Sequence, residues 1–197
     1  MTGPEMKNWM AWNPPEAEAE GDPDPHQIYA AVGRALTEWN KAEEAIAYLF
    51  AVFVDTGSVA GPAMSAYAQV WQVSNRVRMV QGASEAWFTR HPECPYQDQT
   101  KGVLNACTKW SARRNELAHG AVDLPADGAV ARYFLYPNYF TTARPIRGNS
   151  KYRYTANQIR AFAHGFESLN GEINSLFTAI DVWKARNLLN KKGTPPA

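Results

Sequence analysis

The segment from Arg114 to Gly120 concentrates side chains that can bind a phosphate and move a proton; it reads Arg-Asn-Glu-Leu-Ala-His-Gly. A planar guanidinium such as that of Arg114 can hold two oxygens of one phosphate, and an amide such as that of Asn115 can add a hydrogen bond. Histidine is the side chain whose ordinary pKa lies nearest to neutral pH, so His119 is the candidate general base. The pattern predicts acid–base chemistry on a phosphate ester.

The arginine, the polar residue after it and the histidine five positions beyond the arginine resemble the signature of HEPN domains (higher eukaryotes and prokaryotes nucleotide-binding). This family consists of small helical bundles, many of which are metal-independent ribonucleases of toxin and antiphage systems. The resemblance implies RNA cleavage without a cofactor or metal: His119 takes the proton of a 2′-hydroxyl, Arg114 holds the scissile phosphate, and Asn115 fixes the imidazole or the phosphate. One toxin subgroup has a tyrosine two positions after the histidine, where this chain has Ala121.

The motif on one helix forms only part of a site. At 100° per residue, Arg114 and His119 are separated by about 140° around the helix, whereas Asn115 and His119 are separated by about 40°. In ribonucleases of the resembled family, two copies of the motif meet across a dimer axis and form one composite groove. We therefore expect a homodimer. The resemblance also implies RNA as substrate and a cognate antitoxin or other partner protein.

Charge is unevenly distributed along the chain, although the net charge is only +1. Residues 1–60 hold 10 acidic and 3 basic side chains, whereas residues 101–160 hold 10 basic and 3 acidic ones. A basic block around the motif is what a phosphate-backbone ligand requires, since Lys and Arg release counterions on binding. Facing acidic and basic segments within the fold would explain the same asymmetry. Under the first interpretation, the predicted RNA-binding residues are Lys109, Arg113, Arg144, Arg147 and Arg153.

Apolar residues at steps of three and four predict four long helices. This pattern indicates an all-α, up-and-down four-helix bundle, similar to HEPN domains, with a small β-hairpin insert over residues 121–154 between the last two helices. The segment AVARYFLYPNY supplies the hairpin, and KYRYT at 151–155 is expected to pair with it. The predicted helices span 26–55, 62–91 with a break near Ser74, 97–119, and a last helix that Thr155 caps.

The sequence predicts two regions: an amino-terminal arm over residues 1–25 and a single helical domain over residues 26–197. The arm is rich in proline and acidic residues, a composition that buries little surface. The two cysteines, Cys94 and Cys107, form no CxxC pair, and the sequence has neither a signal-peptide pattern nor an 18-residue apolar run. We expect a reduced, cytoplasmic protein that does not span a membrane.

A structural interpretation of the same motif stays open. Arg113 or Arg114 can pair with Glu43 or Glu44 on the first helix, and His119 can cap the last carbonyls of its helix if Gly120 takes a left-handed conformation. The chain would then be a non-catalytic, HEPN-like helical module that binds a protein or a nucleotide.

Overall fold

The computed structural model describes residues 18, 20–54, 61–124, 132–137 and 153–189, and these residues are mostly helical. A small antiparallel hairpin lies between the last two α-helices, as predicted. Among the described residues, no helix combines the length and apolar character needed to cross a membrane. The elements in chain order are α1 (Pro25–Phe53), α2 (Gly61–Ala68), α3 (Val73–Arg90), α4 (Gln97–Ala118), β1 (Ala121–Asp123), β2 (Phe134–Tyr136) and α5 (Ala156–Lys184), which continues as a π-helical turn over Ala185–Leu189.

The start of α1 follows from local chemistry. The Asp24 carboxylate accepts a hydrogen bond of 2.9 Å from the backbone N–H of His26, and Pro25 occupies the first helical position, where a missing N–H costs little. The helix buries one stripe at the predicted spacing, which comprises Ile28, Ala35, Trp39, Ala42, Ile46, Leu49 and Phe53.

The second predicted helix is two helices, so the described residues contain five α-helices where the sequence predicted four. The chain leaves the helix after Ala68, and Gln72 is extended, with φ −86° and ψ 128°, before α3 begins at Val73. Arg76 stabilises this break, since its Nε donates a 2.6 Å hydrogen bond to the backbone oxygen of Val70. The break therefore precedes the predicted position at Ser74.

The expected pairing of the segment 151–155 with the hairpin is present at Tyr154, but the second strand of the hairpin is Ala121–Asp123. Strand β1 pairs with β2 in antiparallel register, with Val122 opposite Leu135. In the described part of this segment, residues 153–155, Tyr154 forms one bridge, in which Leu135 and Tyr154 exchange two backbone hydrogen bonds of 2.9 Å. Tyr133, the residue immediately before β2, exchanges backbone hydrogen bonds of 2.8 and 2.9 Å with Asp22. Both chain segments that precede α1 and α5 are thus joined to the hairpin.

A capping box starts α5. The backbone N–H of Thr155 donates to Oε1 of Gln158 at 3.0 Å, and the N–H of Gln158 donates back to the Thr155 hydroxyl at 3.4 Å. The predicted Thr155 cap is confirmed. A residue distant in sequence also caps the start of α5: the Asp22 carboxylate accepts a 2.7 Å hydrogen bond from the N–H of Ala156.

The chain divides into two compact units, Met1–Trp39 with Lys109–Glu167 and Asn40–Thr108 with Ser168–Ala197. In the first unit, the ring of Phe166 contacts both Trp39 and Trp110 edge-on, with centroids 5.2 and 5.5 Å apart. Gly165 lies directly against the Trp110 indole, which leaves no room there for a side chain. Aromatic packing therefore organises this core.

The second unit is also built on aromatic contacts. Phe53 of α1 lies edge-on to Trp87 of α3 at 5.7 Å, and Trp87 has the same centroid distance to Trp183 of α5. The Lys184 ammonium donates a 2.7 Å hydrogen bond to the backbone oxygen of Val52 near the end of α1. This contact satisfies one of the carbonyls that a helix end leaves unpaired.

Candidate functional site

The predicted motif occupies the last turn of α4. His119 follows the last helical residue, and its N–H still donates a 3.0 Å hydrogen bond to the oxygen of Asn115. Gly120 is not in the left-handed conformation expected of a helix stop. Glycine is required at this position because there is no room for a side chain: a Cβ would lie 2.8 Å from both the Glu116 backbone oxygen and the Leu135 side chain. The hairpin thus closes against the end of α4.

The last turn of α4 has one buried face and one exposed face. Arg113 and Glu116, three residues apart, are buried, and so is Leu117. Asn115 lies about 100° or more around the helix from all three, whereas His119 lies about 60° from Glu116 and at least about 120° from the other two. Both Asn115 and His119 are exposed. The helix therefore presents the amide and the imidazole to solvent one turn apart.

Arg114 lies between these faces and is half-buried. Its Nη1 donates a 3.2 Å hydrogen bond to Oδ1 of Asn115. Its Nε is buried, and no described residue accepts a hydrogen bond from it. A side-chain hydrogen bond thus joins Arg114 to Asn115, whereas His119 is linked to Asn115 only through the helix backbone.

A buried polar network that the sequence analysis did not predict supports this turn. Nη1 of Arg113 lies 2.6 Å from Oε2 of Glu116 and donates a 2.8 Å hydrogen bond to the Tyr154 hydroxyl. That hydroxyl donates in turn to Oε2 of Glu116 at 2.7 Å. The i,i+3 spacing of Arg113 and Glu116 is a sequence signal for such a pair, but no local signal points to Tyr154.

The buried network fixes the position of Arg113, which the sequence assigned to RNA binding. Its side chain is 10% exposed, and its guanidinium is engaged by Glu116 and Tyr154. Removing either partner of a buried ion pair leaves an uncompensated charge and is strongly destabilising. The geometry gives Arg113 a structural role.

The other predicted RNA-binding residues are differently placed. Lys109 is half-buried on α4, one turn before Arg113, and has a partner of its own. Arg153 packs on the hairpin: its guanidinium carbon lies 4.2 Å from the centre of the Phe134 ring, and Nη2 donates a 3.0 Å hydrogen bond to the Glu18 oxygen. Arg144 and Arg147 lie outside the described residues.

The predicted acidic partners have contacts of their own. Glu43 forms a 2.9 Å ion pair with Arg76 of α3, and Glu44 accepts a 3.2 Å hydrogen bond from the Tyr48 hydroxyl on the same helix. The ion pair recorded for Arg113 is with Glu116. These partners differ from the pairing with Glu43 or Glu44 that the structural interpretation expected.

The described residues contain neither a cluster of metal-ligating side chains nor an exposed cysteine. No group of three or more His, Cys, Asp or Glu side chains there could hold a metal ion. Both cysteines are buried and free. Burial raises the pKa of Cys94, and it raises the pKa of Cys107 to about 12, so both thiols stay protonated and unreactive near neutral pH.

No protein-family model, curated protein or solved structure matches this chain. The resemblance to HEPN domains therefore depends on the motif, its position at the end of a long helix and the helical composition. The motif, in the last turn of α4, is the feature that bears most directly on function.

Proposed function

We propose that this protein is a metal-independent endoribonuclease with a HEPN-like helical fold, which acts as a dimer of the toxin or phage-defence type. The observation that carries the proposal is the exposed turn that combines Arg114, Asn115 and His119. Solvent access is what a base and a phosphate-binding amide require.

In the proposed reaction, the imidazole of His119 takes the proton from a ribose 2′-hydroxyl, and the 2′-oxygen attacks the adjacent phosphorus. The bond from phosphorus to the 5′-oxygen breaks, and the leaving oxygen takes a proton from His119 of the second copy. The products are a 2′,3′-cyclic phosphate and a 5′-hydroxyl. Each copy thus contributes one proton-transfer group, which explains why a single helix end is insufficient.

Arg114 and Asn115 hold the phosphate in this mechanism. Negative charge grows on its non-bridging oxygens in the transition state, and preorganised donors stabilise that charge. The hydrogen bond from Arg114 to Asn115 holds the two side chains beside each other. The basic block over residues 101–160 adds long-range attraction for RNA.

Growth of a bacterial host tests the proposal in cells. Expression of the wild type should arrest growth, and His119→Ala should restore it, because the general base is lost. His164→Ala is the matched control, since His164 is also exposed and its contact is a local one with Glu167 on α5. Equal growth of cells that express the wild type and His119→Ala at equal protein levels contradicts the proposal.

A second candidate function is a non-catalytic binding module, and one observation favours it. Trp71, between α2 and α3, is 89% exposed, the highest value among the exposed large apolar side chains described. Tryptophan is among the side chains that most often anchor contacts between proteins. Under this alternative, Trp71→Ser abolishes partner binding, whereas His119→Ala has no effect.

A further inference from the structure

The end of α4 is held from the side of the hairpin by one tyrosine. Tyr154 is fully buried, its backbone pairs with Leu135 of β2, and its ring lies edge-on to Phe162 of α5 at 5.1 Å. Its hydroxyl is the third corner of a closed triangle with Arg113 and Glu116, with distances of 2.6 to 2.8 Å. Tyr154 thus joins the hairpin and α5 to the helix that carries the motif.

The hydroxyl of Tyr154 is important because it contacts both members of the buried pair, Arg113 and Glu116. Nε of Arg113 is buried without a hydrogen-bond acceptor among the described residues. Oε2 of Glu116 accepts from both Arg113 and Tyr154. Loss of the hydroxyl would remove one donor from a buried carboxylate and one acceptor from a buried guanidinium, and each such loss is costly in a low-dielectric site.

We propose that Tyr154 is a positioning residue for the exposed face of α4, which it holds in place through Glu116 and Arg113 on the buried side of the same turn. Leu135, whose backbone pairs with Tyr154, fills the space beside Gly120 and limits the movement of the turn from the other end. The hairpin therefore determines where Asn115 and His119 stand. The catalytic consequence rests on the proposed ribonuclease function, but the positioning itself does not.

Tyr154→Phe is the test variant, because it keeps the ring against Phe162 and removes only the hydroxyl. Tyr133→Phe is the matched control: Tyr133 lies in the same hairpin and its recorded hydrogen bonds to Asp22 come from the backbone. Backbone hydrogen exchange, followed by NMR, reports on the N–H of His119, which closes the last turn on Asn115.

We expect the His119 amide to exchange about tenfold faster in Tyr154→Phe, as the loss of one buried hydrogen bond to a charged group implies. Amides in the middle of α5, such as that of Phe166, should keep their wild-type rates, since positioning is local. Tyr133→Phe should match the wild type at both places. An unchanged rate at His119, or a uniform increase at every amide, overturns the proposal.

RNA cleavage separates this inference from the proposed function. Tyr154→Phe should lower kcat about tenfold and leave KM unchanged, because a displaced imidazole binds RNA as before and transfers protons poorly. A rise in KM alone contradicts positioning. If the wild type does not cleave RNA, the proposed function fails, and hydrogen exchange still decides whether Tyr154 holds the turn.

Glu116→Gln provides a second variant for the hydrogen-exchange measurement. Its amide oxygen can still accept the hydrogen bond from the Tyr154 hydroxyl, but the negative charge that pairs with Arg113 is lost, so the His119 amide should also exchange faster.

Discussion

At the scale of single residues, two adjacent arginines have opposite environments. Arg113 lies in a buried ion pair with Glu116, while Arg114 reaches the surface and contacts Asn115. One position along a helix rotates a side chain by about 100°, which is sufficient to move it from the core to the edge. The charge of an arginine alone therefore does not show whether it binds a ligand.

Gly165 provides a prediction about packing in the first unit. A Cβ at this position would collide with the Trp110 indole, so Gly165→Ala should lower the free energy of unfolding by about 1–3 kcal/mol. Gly171→Ala is the control on the same helix, because no atom lies within 4 Å of its added Cβ. It should stabilise the protein by about 0.5–1 kcal/mol, through helix propensity. Thermal melts check both values, and equal effects of the two substitutions would contradict this packing.

At the scale of elements, segments distant in sequence determine where helices begin. The Asp22 carboxylate caps the buried N–H of Ala156 at the start of α5, far along the chain. It also places a negative charge at a helix N-terminus, where the helix dipole favours one.

We predict that Asp22→Ala destabilises the protein by about 1–2 kcal/mol, since it leaves a buried N–H without an acceptor. Asp22→Asn keeps an oxygen at the site and should cost less. Glu20→Ala, on an exposed residue of the same segment, serves as the control. Chemical denaturation measures all three, and a wild-type midpoint for Asp22→Ala would show that the cap contributes nothing.

Local periodicity predicted the long helices well, because their apolar stripes repeat without interruption. It misplaced the break between α2 and α3, because Val70 and Trp71 continue the helical spacing of apolar residues although the chain has already left the helix after Ala68. The hydrogen bond from Arg76 to Val70 that stabilises this break depends on the folded arrangement of both segments. The same limit applies to the site: the motif was visible in the sequence, but its anchor Tyr154 is 38 residues from Glu116, at the end of the predicted insert.

At the scale of the whole molecule, the proposed mechanism requires two copies of the chain, because one copy supplies one imidazole at the composite site. We predict a homodimer in which the ends of α4 from both copies lie near the symmetry axis. Light scattering at micromolar concentration should give about twice the single-chain mass of 22.0 kDa. A mass of one chain across that concentration range would argue against the composite site.

The measurement that tests the central claim most directly is RNA cleavage by the purified protein in excess chelator. The wild type should cut single-stranded RNA and leave 2′,3′-cyclic phosphate ends, whereas His119→Ala and Arg114→Ala should cut none. Both variants should melt near the wild type, because His119 is exposed and the recorded contact of Arg114 is with the exposed Asn115. Wild-type protein that leaves varied single-stranded and structured RNAs intact would contradict the account and favour the binding module.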